Sequence, residues 1–562
     1  MKLRADYQKT ANLRNMINSI KIIAYLVLIS AIALANPSPQ DSLAAREWAQ
    51  QMFGNAAISA ELPEFNDSYG VVFRDLNNDQ LADIYAVRFR DLNRLFINNG
   101  NGKFSDFTIA SGLGGDLMSV GKQNLELGAS AVDFDNNGWQ DVLIIGWNST
   151  TTLFPQRDQL NFSDHILANQ FPPIDGNAGV WADIDRDGDL DLFITDEHHP
   201  NHLLINDGYG NFTEKAADFG LDLAAVSQGA AFADVDGDDF PDLYVCNWFA
   251  PDALYRNVNG TRFERVSLPI LHLLESLNSN GVCFGDIDND GDADMLVTDR
   301  QGSTALYENA TVAPGSAFLF KENNTLRNPF PGYGIVIADL NNDGWQDIFL
   351  TNIGPNRLFV NDQGKFWLAF EESAPAGQRY YSTGAAVADV DADGDLDLFV
   401  ANKDTSSMLF VNPVGGKNAL RISLEGVRSN RDAIGAKIRL FDAADTTERT
   451  LAYREISGGG GYLSIGESPQ HFGVDPQKTY SATIRFPSGQ TEKLDNLTAG
   501  QSVQLAEQKG IRKQITRTLN GISRLVRHSF FWVNVLLFLV WLGSIAGILL
   551  LFTRSTARWS IT

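Results

Sequence analysis

Between residues 52 and 414 the chain alternates short apolar runs with turns dense in Asp, Asn and Gly. Runs such as DLFIT, DLYVC, DMLVT, DIFLT and DLFVA follow the acidic turns directly, and their length and β-branched content predict strands. A shorter apolar stretch precedes the turn, as at 128–132, 229–233, 281–285 and 384–388. A third run follows, as in NRLFIN from Asn93, NHLLIN from Asn201 and NRLFVN from Asn356. Then come NNGNGKF, NDGYGNF or NDQGKF, whose Asn-Gly and Asp-Gly pairs accept the positive φ of hairpin turns, and a fourth strand. Four antiparallel strands in each of seven units predict a seven-bladed β-propeller, an array that closes on itself and leaves few open edges. The seventh unit stops after its third strand, SMLFVN within 406–412, so the segment at 52–64 is expected to supply the missing strand.

The acid is placed as regularly as the strands. Seven segments read DLNNDQLAD from Asp75, DFDNNGWQD from Asp133, DIDRDGDLD from Asp183, DVDGDDFPD from Asp234, DIDNDGDAD from Asp286, DLNNDGWQD from Asp339 and DVDADGDLD from Asp389. Their starts lie 58, 50, 51, 52, 53 and 50 residues apart, a period that signals a propeller or solenoid. Oxygens at positions 1, 3, 5 and 9 of a tight loop converge on one point. The candidate ligands are Asp75, Asn77, Asp79 and Asp83; Asp133, Asp135, Asn137 and Asp141; Asp183, Asp185, Asp187 and Asp191; and Asp234, Asp236, Asp238 and Asp242. The remaining three loops offer Asp286, Asp288, Asp290 and Asp294; Asp339, Asn341, Asp343 and Asp347; and Asp389, Asp391, Asp393 and Asp397.

Hard, charged oxygen donors suit Ca²⁺ better than zinc or copper, and up to seven Ca²⁺ are expected. The glutamate that closes an EF-hand at position 12 is missing, so these are strand–loop–strand cages. Without metal, carboxylates so close repel one another and their pKa values rise. Gln80 and Asp239 stand where the other loops have Gly at position 6. A left-handed backbone costs an ordinary residue roughly 1 kcal/mol, so the first cage is expected to be the weakest.

Both ends carry membrane signals. Residues 1–35 join a basic stretch, a 14-residue apolar run from Ile22 and the small-residue ending Ala33-Leu34-Ala35, which predicts a signal peptide or an uncleaved anchor. A linker or short helix at 36–51 leads to the propeller. Near the other end, the run at 530–552 has 23 residues without a charge and is long enough to cross a bilayer. A basic juxtamembrane segment, 508–529, precedes it and a short tail, 553–562, follows. The basic side would be cytoplasmic by the positive-inside rule, but a large domain after an export signal dictates the orientation. The expectation is an envelope or plasma-membrane protein with its propeller on the extracytoplasmic side.

Composition removes other classes. Of 562 residues, 69 are Asp or Glu against 44 Lys or Arg, and a net charge of −25 argues against nucleic acid as a partner. Two cysteines exclude a disulfide scaffold; Cys246 and Cys283 either pair or stay as buried thiols. His198, His199 and His202 cluster beside the third cage, where a transition-metal site and an exposed polar loop are the two readings. No nucleophile elbow, P-loop or dinucleotide fingerprint appears, and the glycines at 458–461 read as a turn. A polysaccharide lyase or hydrolase on the same scaffold is the alternative to a binding protein, although nearly every carboxylate is committed to a cage. Trp139, Trp147, Trp181, Trp248 and Trp345 lie near loops where sugars could stack; Trp139 and Trp345 share one cage position, which favours packing.

The D-x-D-x-D-G-x-x-D loops between strands resemble the FG-GAP/VCBS repeats of integrin α-subunit propellers and bacterial surface proteins. SNRDAIGAKI at 429–438, REISGGGGYLS at 454–464, HFGV at 471–474 and IRFPSGQ at 484–490 resemble the ASPIC/UnbV module of cartilage-acidic-protein-like proteins. The resemblance implies extracellular binding and adhesion, with protein or carbohydrate partners at the propeller faces and no defined catalytic residue. On its own pattern, 415–507 alternates apolar and polar residues and predicts a small β-sandwich. Its Arg428, Arg431, Lys437 and Arg439 either dock on the acidic propeller or form an ordinary mixed-charge face.

Overall fold

The computed structural model describes residues 39–54, 62–509 and 513, less 101, 119–124, 163–164, 172–173, 268–277 and 373–379. The expected signal segment, the expected membrane span at 530–552 and nearly all of the basic segment before it lie outside the described residues. Among the described residues, no helix is long and apolar enough to cross a membrane.

Each repeat unit folds as one antiparallel sheet. The innermost strands are Ser68–Arg74, Glu126–Val132, Gly176–Ala182, Val226–Ala233, Ser279–Gly285, Gly332–Ala338 and Ser382–Ala388. In every unit the last residue of this strand pairs with the ninth residue of the acidic segment: Arg74 with Asp83, Val132 with Asp141, through to Ala388 with Asp397. The acidic segment is therefore the hairpin connection between the first and second strands. Each inner strand touches the next around the array, and Ser382–Ala388 returns to Ser68–Arg74, so the sheets close into a β-propeller. The core lies between neighbouring sheets: Val72, Tyr85 and Leu95 of the first interleave with Ala129, Val142 and Ile144 of the second.

One expectation needs correction. The second unit, like the seventh, shows three strands among the described residues. Of the stretch at 52–64, residues 52–54 end the helix Pro39–Gly54 and 55–61 lie outside the described residues; 62–67 form no strand, but the Phe65 carbonyl accepts the Ser407 N–H at 2.8 Å and the Asp67 N–H donates to the Lys403 carbonyl at 2.9 Å. The helix instead buries Ala49, Met52 and Phe53. Phe53 stacks on Phe370 of the sixth sheet at 4.4 Å and meets Phe410 of the seventh edge-on at 4.9 Å. Trp48 donates its indole N–H to Asn412 at 3.0 Å. The helix is thus tied to the sixth and seventh sheets by its aromatic residues.

The C-terminal module has two sheets. Ala419–Glu425 lies between Gln470–Gly473 and, in parallel, Ser502–Ala506. Thr450–Glu455, Lys437–Asp442, Tyr480–Arg485 and Thr491–Leu497 form the other, in that order. Leu420, Ile422, Ile438, Leu440, Phe472 and Ile484 share the core between them.

Between these sheets the chain leaves the module and enters the axis of the ring. The Trp181 N–H donates to the Gly458 carbonyl at 3.1 Å, the Ala129 N–H to the Leu463 carbonyl at 3.4 Å, and the Phe73 N–H to the Ile465 carbonyl at 3.0 Å. Tyr462 reaches Tyr333, ring centroids 5.3 Å apart. The glycines expected to form a simple turn are there for close approach: a Cβ on Gly458 would overlap the Trp181 carbonyl oxygen, and one on Gly281 the Gly461 carbonyl oxygen.

Candidate metal cages and the two faces of the ring

The acidic connections share one backbone design. The position-1 carboxylate accepts the N–H of position 5, as Asp183 does from Asp187 at 2.9 Å. Its other oxygen accepts the N–H of position 6, as Asp133 does from Gly138 at 2.7 Å. Position 6 has positive φ throughout, including Gln80 at 72° and Asp239 at 73°. Position 4 is left-handed too, at Asn78, Asn136, Arg186, Gly237, Asn289, Asn342 and Ala392, a requirement that the sequence did not announce.

Position 9 has a second task. Its carboxylate accepts the N–H of position 2 and, through its other oxygen, the N–H of an amide residue ending the third strand; for Asp191 these are Ile184 at 3.3 Å and Asn206 at 2.9 Å. The Asn206 side chain then donates to the Phe134 carbonyl in the preceding cage at 3.0 Å. Asn98, Asn257, Asn309, Asn361 and Asn412 make the same link, and Gln156 makes it in the second unit. The amide closing NRLFIN and NHLLIN was the available signal for this strut.

In five units the carboxylate oxygens converge within 4.8 Å of one another: Asp133, Asp135 and Asp141; Asp183, Asp185 and Asp187; Asp234, Asp236 and Asp242; Asp286, Asp288 and Asp290; Asp389, Asp391 and Asp397. In the first and sixth, position 3 is Asn, and Asn77 and Asn341 donate to Asp79 and Asp343, both at 3.0 Å. Burial is the main cause of raised carboxyl pKa values, with neighbouring carboxylates adding to it: Asp83 is pushed up to about 8 and Asp286 to about 7. Asp183 and Asp191 are raised well above the carboxylate range for the same reasons. Desolvated, mutually repelling oxygens of this kind are a fitting donor set for a hard divalent cation.

The C-terminal module covers this face. Arg421 pairs with Asp389 and Glu467, and Lys437 with Asp234. Arg431 Nε stands 3.6 Å from Asp133, and Arg439 donates to the Gly291 carbonyl at 2.9 Å. Buried Arg454 is held by the charges of Asp339 and Asp286 against its own desolvation. Three of the four basic residues singled out in the sequence therefore dock on cage loops.

The histidines assemble an ion-pair cluster. His202 stands 3.7 Å from Asp196 through Nε2 and 3.1 Å from Glu214 through Nδ1. Burial opposes its charge, but the two carboxylates outweigh it and raise its pKa to about 9. Cys246 and Cys283 are unpaired, and burial pushes the Cys283 thiol up to about 12.

The opposite face carries aromatic residues around the end of the axial loop, where Tyr462 and Leu463 pack with Tyr69 and Tyr333. Tyr69, Phe89 and Trp147 follow one another at centroid separations of 5.6 and 6.0 Å. Lys403 lies over Tyr381 at 4.7 Å, and Arg300 over Trp248 at 4.1 Å. Glu197 accepts from Trp147 at 3.2 Å, Asn177 at 3.0 Å and Gln228 at 2.8 Å. Phe249 is 82% exposed. Trp181 is fully buried in the core, whereas Trp139 and Trp345 are half-buried on cage loops and join no core.

A closed ring of sheets whose inner hairpins repeat this loop defines a β-propeller of the FG-GAP kind. The FG-GAP-like repeat family matches residues 133–194, 183–245, 241–297 and 298–400, and the ASPIC and UnbV family matches 426–512. The chain carries FG-GAP-like repeats followed by an ASPIC and UnbV domain. It is similar to cartilage acidic protein 1 of Xenopus tropicalis, 24% identical over 412 residues covering 66% of this chain and 62% of that protein. The Mus musculus protein is 23% identical over 494 residues, 78% of this chain and 74% of that protein. The chain thus spans less than two thirds of the frog relative. A structure of an Agrocybe aegerita lectin recognising non-reducing terminal N-acetylglucosamine aligns over 60% of this chain and 86% of its own, at 17% identity and a TM-score of 0.42. YCF48 bound to D1 peptide aligns over 62% and 93%, at 9% identity and 0.38. Such scores carry no weight for function.

Proposed function

We propose that the protein is a membrane-anchored, calcium-stabilised, seven-bladed propeller that holds a protein or glycan partner outside the cytoplasm. The carrying observation is the division of its two faces. The cage face is covered by the ASPIC and UnbV domain, whose loop also fills the axis, leaving the aromatic mouth opposite for a partner. Aromatic residues with polar handles on loops over a rigid scaffold are a recurrent binding arrangement. Calcium held by the aspartate sets would relieve their repulsion and rigidify the hairpins.

The anchor reading rests on the apolar run at 530–552, and export on residues 1–35. A glycan array and a surface-protein pull-down with the wild-type chain and a Trp147→Ala/Trp248→Ala variant test the docking face. Binding lost in the variant supports this reading; equal binding by both proteins contradicts it.

A further inference from the structure

The cages differ in the protein cations that already stand against them. In the fourth, Arg256 extends from the third strand, Ala253–Asn257, and places Nε 3.0 Å from Asp236 Oδ2. The Asp236 side chain is 0% exposed and that of Arg256 25%. The guanidinium lies over Phe318 at 4.6 Å and donates to the Ser316 carbonyl, which fixes its position. From the other side, Lys437 pairs with Asp234 and stands 3.3 Å from Asp239, which Arg485 also pairs with. Two cations thus press on the site from within the protein.

The fifth cage is built the other way. Asp286, Asp288 and Asp290 converge, and Asp292 adds its charge to theirs. The place that Arg256 holds before the strand-ending amide is Glu308 here, whose charge acts on Asp288. Arg454 acts on Asp286, yet among the described residues it makes no ion pair with it. In the second cage Arg157 reaches Asp135 at 2.6 Å, but its side chain is 52% exposed and free to swing into solvent.

We infer that the fourth cage is neutralised by Arg256 and Lys437 and binds calcium at least tenfold more weakly than the fifth, which is a tight divalent-cation site. A metal ion entering the fourth cage must approach a guanidinium and an ammonium held in a buried setting, where like charges repel most strongly. In the fifth, Arg439 donates to the Gly291 carbonyl at 2.9 Å, but among the described residues no cation forms an ion pair with a cage carboxylate. This inference rests on the calcium reading proposed above.

The test is a calcium titration by calorimetry of the chelator-stripped full chain, as wild type and as Asp288→Asn, Asp236→Asn and Arg256→Gln. Asp288→Asn is expected to remove one tight site, Asp236→Asn to leave the number of tight sites unchanged, and Arg256→Gln to add one. If Arg256→Gln does not fold, the two isosteric variants decide. A tight site lost in Asp236→Asn, or none lost in Asp288→Asn, overturns the inference while leaving calcium binding intact. A wild-type chain that takes up no calcium overturns the calcium reading itself, and the inference with it.

Discussion

Stripping the metal should invert the ordinary pH dependence of a carboxylate-rich protein. Most acidic groups in folded proteins are stabilised as anions, so stability grows as pH rises from acid. Here burial and neighbouring carboxylates raise Asp83 to about 8, and Asp286 and Asp339 to about 7. Below the unfolded carboxyl value, near 3.8, these groups are protonated in both states and their stability contribution is fully present. As pH climbs, the unfolded chain loses the protons first, the folded chain binds more of them, and stability falls until the folded values are passed. Each such group gives a slope of about −1.4 kcal/mol per pH unit inside that window. Asp83 alone sets the sign between pH 4 and about 8, and Asp286 and Asp339 reinforce it up to about 7. Calcium binds the deprotonated form and should abolish or reverse the trend. Denaturant unfolding of the chelator-treated protein at pH 5.0, 6.0 and 7.5, with and without added Ca²⁺, measures it. Metal-free stability that is flat or rising across that range would refute the claim that desolvated, unpaired carboxylates dominate the cages.

Three further changes follow from the geometry. Gln80→Gly removes a left-handed non-glycine residue whose side chain is exposed, and should stabilise the protein by up to about 0.5 kcal/mol after the added unfolded-state entropy is subtracted; a lower melting temperature would contradict this. Arg421→Ala leaves the buried Asp389 and Glu467 without their shared partner and should cost about 3–5 kcal/mol, partly restored in Arg421→Lys, as read by chemical denaturation. Gly458→Ala forces a Cβ onto the Trp181 carbonyl and should expel the axial loop; faster protease cleavage near 458 is expected, and wild-type resistance would count against a packed plug.

The strands and cage loops were legible because both are local. Period-two apolar runs mark strands within a few residues, and the aspartate spacing sits inside one hairpin. What escaped depended on contacts distant in sequence. The glycines at 458–461 look like any tight turn until Trp181 and Val282 are placed beside them. Asn206 reads as a strand-ending amide, and only closure of the ring puts it against the Phe134 carbonyl. The stretch at 52–64 is expected to close the ring because the array lacks a strand, yet the short helix expected at 36–51 runs on to Gly54, and its buried Ala49, Met52 and Phe53 follow helical spacing. The histidines were ambiguous because their spacing alone does not show the carboxylates that pair with them, Asp175 for His198 and Glu214 for His202.

Bound calcium per chain, measured by elemental analysis together with the melting curve before and after chelation, addresses the metal-stabilised ring most directly. Several ions per chain, and a cooperative transition that shifts far downward or disappears when they are removed, are the predicted results. A preparation that retains no divalent ion and melts identically in chelator would contradict it.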